Sequence, residues 1–244
     1  ARPAWNAFRA QLTETQTLAW DMTELWLAGA NVTVTVGDLL LIVAPNGSGY
    51  AASIRRVTEV ESSREADRAR VFLATISTSE GSVSASKPGV YVMRSTVSPF
   101  GHNAPLQPQY SSGVFQGTFS EWALDGAELD SLLTLSSRND KILDNSFVVI
   151  EQDKPGSGSR MWTFATVTAV THRSVARYGL AGNGTRLSLS TGWTKNADSK
   201  LDLLRTMTVA AQSEEIALAE RPLSYPVYGE TLSLEQLVEG LAPG

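Results

Sequence analysis

The chain repeats a pattern of strands, and this repetition limits what it can fold into more than any single residue does. An apolar run, Leu39-Leu40-Leu41-Ile42-Val43, is followed by Val57-Thr58-Glu59-Val60 and then by Arg70-Val71-Phe72-Leu73. Further on, Phe147-Val148-Val149-Ile150 is followed by Val167-Thr168-Ala169-Val170 and then by Arg186-Leu187-Ser188-Leu189. The order is the same and the first gap is nearly the same. Each block has the alternation or short apolar run of a strand. A leader precedes each set, Leu25-Trp26-Leu27 and Leu133-Thr134-Leu135, and a third leader, Leu232-Ser233-Leu234, runs on to Gly244. Two copies of a five-stranded antiparallel unit predict a mainly β fold. The expected architecture is two serial small antiparallel β-barrel or sandwich modules, with a short N-terminal helix and the start of a third module. Such repetition favours an architectural role over a single elaborated pocket.

The expected boundaries follow from these blocks. Residues 1–24 form a helical lead-in, because Trp5, Phe8 and Leu12 fall at helical spacing behind Pro3, with the helix over 3–20. Residues 25–97 form module 1, 98–117 a Pro-rich connector with Pro99, Pro105 and Pro108, and 118–222 module 2. Residues 223–244 read as the start of a truncated third module. Within module 1, Pro45-Asn46-Gly47-Ser48-Gly49 predicts a hairpin loop, since Asn-Gly readily supplies positive φ. Residues 153–160 are its analogue in module 2. The charged stretch 61–68 predicts a solvated loop or short helical turn, 173–183 a glycine-bearing loop, and 204–211 the last strand. The modules span roughly 75 to 105 residues, enough for independent cores.

Composition narrows the function classes. A hydrophobic content of 42% with six Trp and seven Phe supports packed cores. A net charge of −5 argues against a nucleic-acid backbone binder, which would carry a basic stripe. No apolar run of about 18 residues is present, so no membrane-spanning helix is expected. Without cysteine there is no disulfide, thiolate metal site or cysteine nucleophile. The start carries no visible secretion signal, and a first residue of Ala1 leaves room for a lost upstream region. The Asn-x-Ser/Thr matches at Asn31, Asn46 and Asn183 then read as turn chemistry.

Candidate chemistry is sparse. His102 and His172 fall in different modules, so a triad or metal site built on both would need carboxylates brought across the connector. His102 reads as a hydrogen-bonding residue of an ordered loop, and His172 as a surface residue after a strand. Ser84-Ala85-Ser86-Lys87 matches a serine–lysine motif formally, yet lies in a Gly/Ser-rich stretch before Pro88 rather than opening a helix. Asp125, Glu128 and Asp130 lack the spacing of a calcium loop and read as an acidic loop before a strand. The Gly-Ser-Gly triplets at 47–49 and 156–158 precede strands, not helices, and are too short to cradle phosphate. Trp20, Trp26, Trp122, Trp162 and Trp193 are possible sugar-stacking platforms, with Trp26 and Trp162 expected in cores. No catalytic residue, cofactor or metal site is expected.

Four segments, in order, resemble the baseplate assembly proteins of contractile injection systems and phage tail-like particles. These are Val90-Tyr91-Val92-Met93-Arg94 with Phe100-Gly101-His102-Asn103-Ala104-Pro105; Thr23 to Gly29 leading to Gly37-Asp38 and Leu39–Val43; Val167-Thr168-Ala169-Val170 with Tyr178–Gly182 and Thr185-Arg186-Leu187; and Ala211–Glu215 with Leu218-Ala219-Glu220. The family tends to place Pro-Gly-Asp at the turn before the apolar strand; here Val36 replaces the Pro, and the second copy has Asp144-Asn145-Ser146. The resemblance implies an internal fragment of a longer chain, acting as a structural wedge component beneath a contractile sheath and around a central spike. It implies other baseplate subunits as partners in a large symmetric assembly, cytoplasmic assembly, no nucleic acid and no direct membrane insertion. Phe100, His102, Asn103 and Pro105 in the connector, with Gln212 and Glu214 in the exit, are the expected subunit contacts or hinges. The alternative is a β-modular adhesin or carbohydrate-binding protein. A hydrolase is disfavoured by its two isolated His and absent Cys.

Overall fold

The computed structural model describes residues 10–76, 81–128, 130–153, 159–194, 200–224, 227–228 and 231–234. The strands are β1 (Thr13–Glu14), β2 (Glu24–Ala28), β3 (Leu39–Asn46), β4 (Gly49–Ser63), β5 (Arg68–Thr75), β6 (Gly81–Ser82), β7 (Gly89–Val97), β8 (Gln107–Ser111) and β9 (Val114–Ser120). After a 3-10 turn at Gly126–Glu128 come β10 (Leu132–Leu135), β11 (Phe147–Asp153), β12 (Arg160–Arg177) and β13 (Leu180–Leu189). One helical turn, α1 (Asp202–Arg205), precedes β14 (Thr208–Ile216), β15 (Arg221–Pro222), β16 (Val227–Tyr228) and β17 (Thr231–Leu232).

Eleven of these strands form one antiparallel sheet, in the order β10-β13-β12-β11-β14-β7-β3-β4-β5-β2, with β6 beside β4. Read outward from the β14–β7 pair, both halves have the same connectivity. A leader (β2 or β10) pairs with the fourth strand of its half (β5 or β13), and the apolar strand (β3 or β11) lies between a long strand and the last strand. The repeat extends to single hydrogen bonds. Gly37 N–H donates to Val57 O at 2.8 Å and Val57 N–H to Asp38 O at 2.9 Å, while Asn145 N–H donates to Val167 O at 2.7 Å and Val167 N–H to Ser146 O at 2.8 Å. Gly37 and Asn145 both take positive φ, +98° and +65°, in the turn before the apolar strand. Asn is one of the few side-chain-bearing residues that tolerate this region.

The long strands β4 and β12 each carry a bulge at the equivalent threonine: the register skips Thr58 in β4 and Thr168 in β12. A bulge bends the strand and increases its twist, so each long strand serves one neighbour before the bend and another around and after it. β3 and β4 are joined by a two-residue turn at 47–48, as the Asn-Gly pattern predicts. Its analogue at 153–160 falls largely outside the described residues.

The leaders are shared between halves. Ser98 and Phe100, just past β7, flank a bridge from Pro99 to Leu135 of β10, through Ser136 N–H to Ser98 O at 2.9 Å and Phe100 N–H to Thr134 O at 2.7 Å. Ala217 and Ala219, just past β14, make the same ladder with β2, through Ala28 N–H to Ala217 O at 3.0 Å and Ala219 N–H to Trp26 O at 2.9 Å. The chain leaving each half therefore covers the leader of the other.

Three apolar clusters follow from the alternation. Leu40, Ile42 and Ala44 of β3 face one core with Leu25, Leu27, Val57, Val71, Val90 and Val92. Val148 and Ile150 of β11 face a second with Leu133, Leu135, Val167, Leu187 and Val209. The opposite faces of both strands, with Leu41, Val43, Phe147 and Val149, meet Ile54, Tyr91, Met93, Phe164 and Ala210 in a third. Both apolar runs are thus covered on two faces, which is why they lack alternation. The third cluster draws on both halves, and its Tyr91 and Phe147 rings meet edge-on at 4.7 Å.

Several expectations are corrected. The sheets are antiparallel but not closed barrels, and the two halves share a sheet and a core. Residues 10–20 are extended rather than helical, with β1 paired to β15; residues 1–9 of the expected helix lie outside the described residues. The β8–β9 hairpin begins within the connector 98–117 and runs across its far boundary. Residues 173–183 belong to the β12–β13 hairpin, turning at Tyr178-Gly179. The last strand begins at Thr208, because 202–205 form α1. The solvated loop expected over 61–68 is shorter, an exposed turn at 64–67 between β4 and β5. Leu232 of the third leader pairs in β17, and Leu234 bridges back to Ala10.

Because Phe147 joins the halves, Phe147→Ala is expected to lower the stability of the whole chain by about 3–5 kcal/mol. Equilibrium urea unfolding followed by tryptophan fluorescence checks this.

Candidate functional site

The segment after β7 is anchored rather than free. Phe100 is buried in the core of the second half, so it packs there and is not available as an exposed contact. Gly101 follows at φ +97°, where a Cβ would lie 2.8 Å from Tyr178 Cδ2 and 3.1 Å from Leu201 Cδ1. Only glycine meets both demands. His102 is half-buried with Nδ1 3.0 Å from Pro99 O, the ordered-loop role read from its surroundings. Asn103 and Pro105 are exposed. The Trp122 indole N–H donates to Pro105 O at 2.7 Å, and the Tyr178 hydroxyl accepts from Asp125 N–H at 2.8 Å. Burial raises the Tyr178 pKa, keeping the hydroxyl neutral there.

Two ion pairs tie this region to the rest of the second half. Arg205 of α1 grips Glu121 with Nε and Nη2 at 2.9 and 3.0 Å, a two-pronged pairing that fixes orientation as well as charge. Hydrogen bonding from Arg205 lowers the Glu121 carboxyl pKa. Glu128, read from sequence as part of an acidic loop, is instead buried. It accepts from Thr134 N–H at 2.7 Å and Thr134 Oγ1 at 2.6 Å and pairs with Arg177. Its carboxylate is thus matched by donors on β10 and β12. No motif marked this role, because its partners come from distant strands.

The other expected contacts lie in the central strand. Gln212, at φ +55°, is skipped in the β14–β7 register, and Glu214 pairs with Arg94 of β7 at 2.6 Å. Arg94 also donates to Thr33 O at 2.7 Å. Gln212 and Glu214 both lie on the strand that joins the halves, Gln212 partly buried and Glu214 exposed. The structure therefore does not bring Phe100, His102, Asn103, Pro105, Gln212 and Glu214 together as one exposed patch.

What sequence reading missed is the β8–β9 hairpin. It turns at Ser112-Gly113, both with positive φ, and among the described residues pairs only with itself. Tyr110, Phe115 and Phe119 are 64%, 44% and 59% exposed. Their rings form a ladder, 5.8 Å from Tyr110 to Phe115 and 5.4 Å from Phe115 to Phe119. The Ser-Gly pair was the available signal for the turn.

Little here resembles an assembled reaction centre. His172 lies within β12, exposed, with Nδ1 3.2 Å from Thr185 Oγ1 and Nε2 3.3 Å from Asp140. Lys87 of the serine–lysine match is exposed and pairs with Glu215 at 2.6 Å. Among the described residues, no group of three His, Asp or Glu is placed to hold a metal ion, and no helix is long and apolar enough to cross a membrane. Trp193 is buried with its N–H on Leu132 O at 2.7 Å. Trp162 is partly buried against the shared core. Trp26 is likewise partly buried rather than in a core, with the Arg68 and Arg70 guanidiniums 5.5 and 5.6 Å from its ring centre. It lines a cleft of about 270 Å³ with Glu14, Gln16, Glu24 and Arg221. Family models, curated proteins and solved structures all gave no match to this chain.

Gly101→Ala is expected to destabilise the chain by about 2 kcal/mol or more, since it combines backbone strain with a clash against Tyr178. Thermal unfolding of the variant measures this. The lowered Glu121 pKa gives stability that is complete above the ordinary Glu range, about 4.3, and is lost as pH falls below it. Glu121→Gln is therefore expected to flatten the acid side of the stability–pH curve, read as the urea midpoint at neutral and acid pH.

Proposed function

We propose that the chain is a structural wedge component of the baseplate of a contractile injection system or phage tail-like particle, holding neighbouring subunits around a central spike. The observation that carries this reading is the seam. Two sheet halves of equal connectivity share a core and cover each other's leaders, giving a stiff block suited to transmitting displacement between neighbours. In this reading each half is a module, and the rearrangement on firing occurs between subunits, not within this block. The partners are other baseplate subunits, with no cofactor, nucleic acid or catalytic step, and assembly takes place in the cytoplasm. The ordered segment resemblances over most of the chain support the same reading.

A second reading, a glycan-binding β protein, draws on one observation: Trp26 beside a cleft lined by Glu14, Gln16, Glu24 and Arg221. A partly exposed indole face among polar groups can stack against a sugar ring.

The two are separated by electron microscopy of particles pelleted from cells carrying the intact gene or an in-frame deletion of residues 25–222. Sheathed tubes with an end plate, lost or left without the plate in the deletion, are expected. Normal particles in the deletion, together with Trp26-dependent binding on a glycan array, would favour the second reading.

A further inference from the structure

Near its two ends the chain repeats a contact that elsewhere joins the halves. Phe100 N–H donates to Thr134 O, the middle of the second leader, at 2.7 Å, and Ala219 N–H donates to Trp26 O, the middle of the first, at 2.9 Å. Gln11 N–H donates to Ser233 O, the middle of the third, at 2.8 Å. The bridges match as well. Pro99 with Leu135, Leu218 with Leu27, and Ala10 with Leu234 each pair the residue before the donor with the last residue of the leader. Ala10 and Gln11 thus stand where the chain leaving a half stands, and Leu232–Leu234 stand as a leader. Thr13 follows Gln11 by two residues as Arg221 follows Ala219, so β1 and β15 are equivalent too, and they pair with each other. Residues 10–27 and 218–234 are therefore like segments with reciprocal contacts, the pattern of a self-complementary pair.

The third contact differs in what lies beneath it. Leu25, Leu27, Leu133 and Leu135 of the first two leaders are fully buried, whereas Leu232 is 47% exposed and Leu12 63%. Arg221 Nε donates to Glu14 at 3.0 Å and Thr13 donates to Glu220, both at exposed positions, where such pairs contribute little. Among the described residues, the backbone bonds of 221–234 outside their own β16–β17 hairpin all go to Ala10–Glu14. The contact is specific in its backbone geometry and slight in its burial, so it opens before the sheet does. Its hosts stay in place when it opens: Leu18 packs in the core of the first half, and Ala219 remains bonded to β2. What covers the arm is a segment of this chain, and a second copy presents the same segment. Closure within one chain and closure between copies use the same bonds and differ only in the effective concentration of the two members.

We infer that this contact is exchangeable between copies: the 221–234 arm of one copy takes the 10–14 segment of a second copy and joins the two by the bonds seen within one chain. Dilute chains close on themselves. Copies held at about millimolar local concentration, the range that short flexible links provide, exchange their arms. The inference does not rest on the baseplate reading, and its test needs no particle.

The chain has no Cys, so introduced pairs report the contact cleanly. The Gln11–Ser233 bond makes Ala10 and Leu234 a non-hydrogen-bonded pair. Cα atoms in such a pair lie about 4.5 Å apart, within reach of a disulfide. Ala10→Cys and Leu234→Cys are mixed at near-millimolar concentration under mild oxidation, with circular dichroism showing that each is folded, and the products are separated by mass. Heterodimers are expected in excess of the random-collision ratio, and in excess of those from Ala10→Cys mixed with Ser112→Cys on the distant β8–β9 turn. Gln11→Pro, added to Ala10→Cys, removes the donated N–H and is expected to lower the heterodimer at least about threefold. The double variant Ala10→Cys/Leu234→Cys is expected to close within one chain at micromolar concentration and to give interchain products near millimolar. Heterodimers no more frequent than with Ser112→Cys, or undiminished by Gln11→Pro, overturn the proposal. Intrachain closure of the double variant at every concentration overturns it too, and assigns the contact to a latch within one copy.

Discussion

The pairing of β7 with β14 is the constraint on which the rest of the structure depends. From Val97–Val209 to Val90–Ile216 it runs the length of both strands, interrupted only at Gln212. Without it there would be two separate sheets, each with an open edge. With it, β3 and β11 become interior strands, and their second faces close on each other through Leu41, Val43, Phe147 and Val149. The same pairing carries the chain past each half so that Pro99 and Leu218 reach the opposite leaders. Central pairing, shared core and exchanged leader contacts are one arrangement, and each needs the other two.

This arrangement bears on function through stiffness. A joint between two β units normally bends at its linker, but here the segment after β7 is tied by Phe100, Gly101 and His102. The segment after β14 is tied by Ala217 and Ala219. Glu128 with Arg177, and Glu121 with Arg205, fix the remaining crossings between distant parts of the chain. Motion that serves assembly then belongs at the surface of the block. The β8–β9 hairpin, rooted but outside the main sheet, is one such surface element.

Much of the sheet was legible in the sequence, because both apolar runs and their following strands recur in order. The two bulges fall at the aligned Thr58 and Thr168, but no sequence signal marked them. The closure was not legible. Equal patterns in series fit two barrels as well as one shared sheet, and the β7–β14 pairing joins strands with no local signal for each other. The N-terminal spacing misled for a different reason. Gln16 donates from its side chain to Trp26 O at 2.6 Å and accepts from Trp26 N–H at 2.9 Å, standing in for a strand partner, so tertiary contacts outweigh helical periodicity across 10–20. The hairpin was hidden because its exposed aromatics do not alternate with charge, and its prolines read as a linker. Glu128 was hidden because its partners Thr134 and Arg177 lie on other strands.

The central claim is that the two halves open and close as one body through the β7–β14 seam. Native-state hydrogen exchange tests it most directly. The account predicts that the amides of Val92, Met93, Ala210 and Ala211 are among the slowest to exchange, and that β3 and β11 share a single free energy of opening with them. Faster exchange at the seam than in the interior of either half, with separate opening energies for β3 and β11, would contradict it.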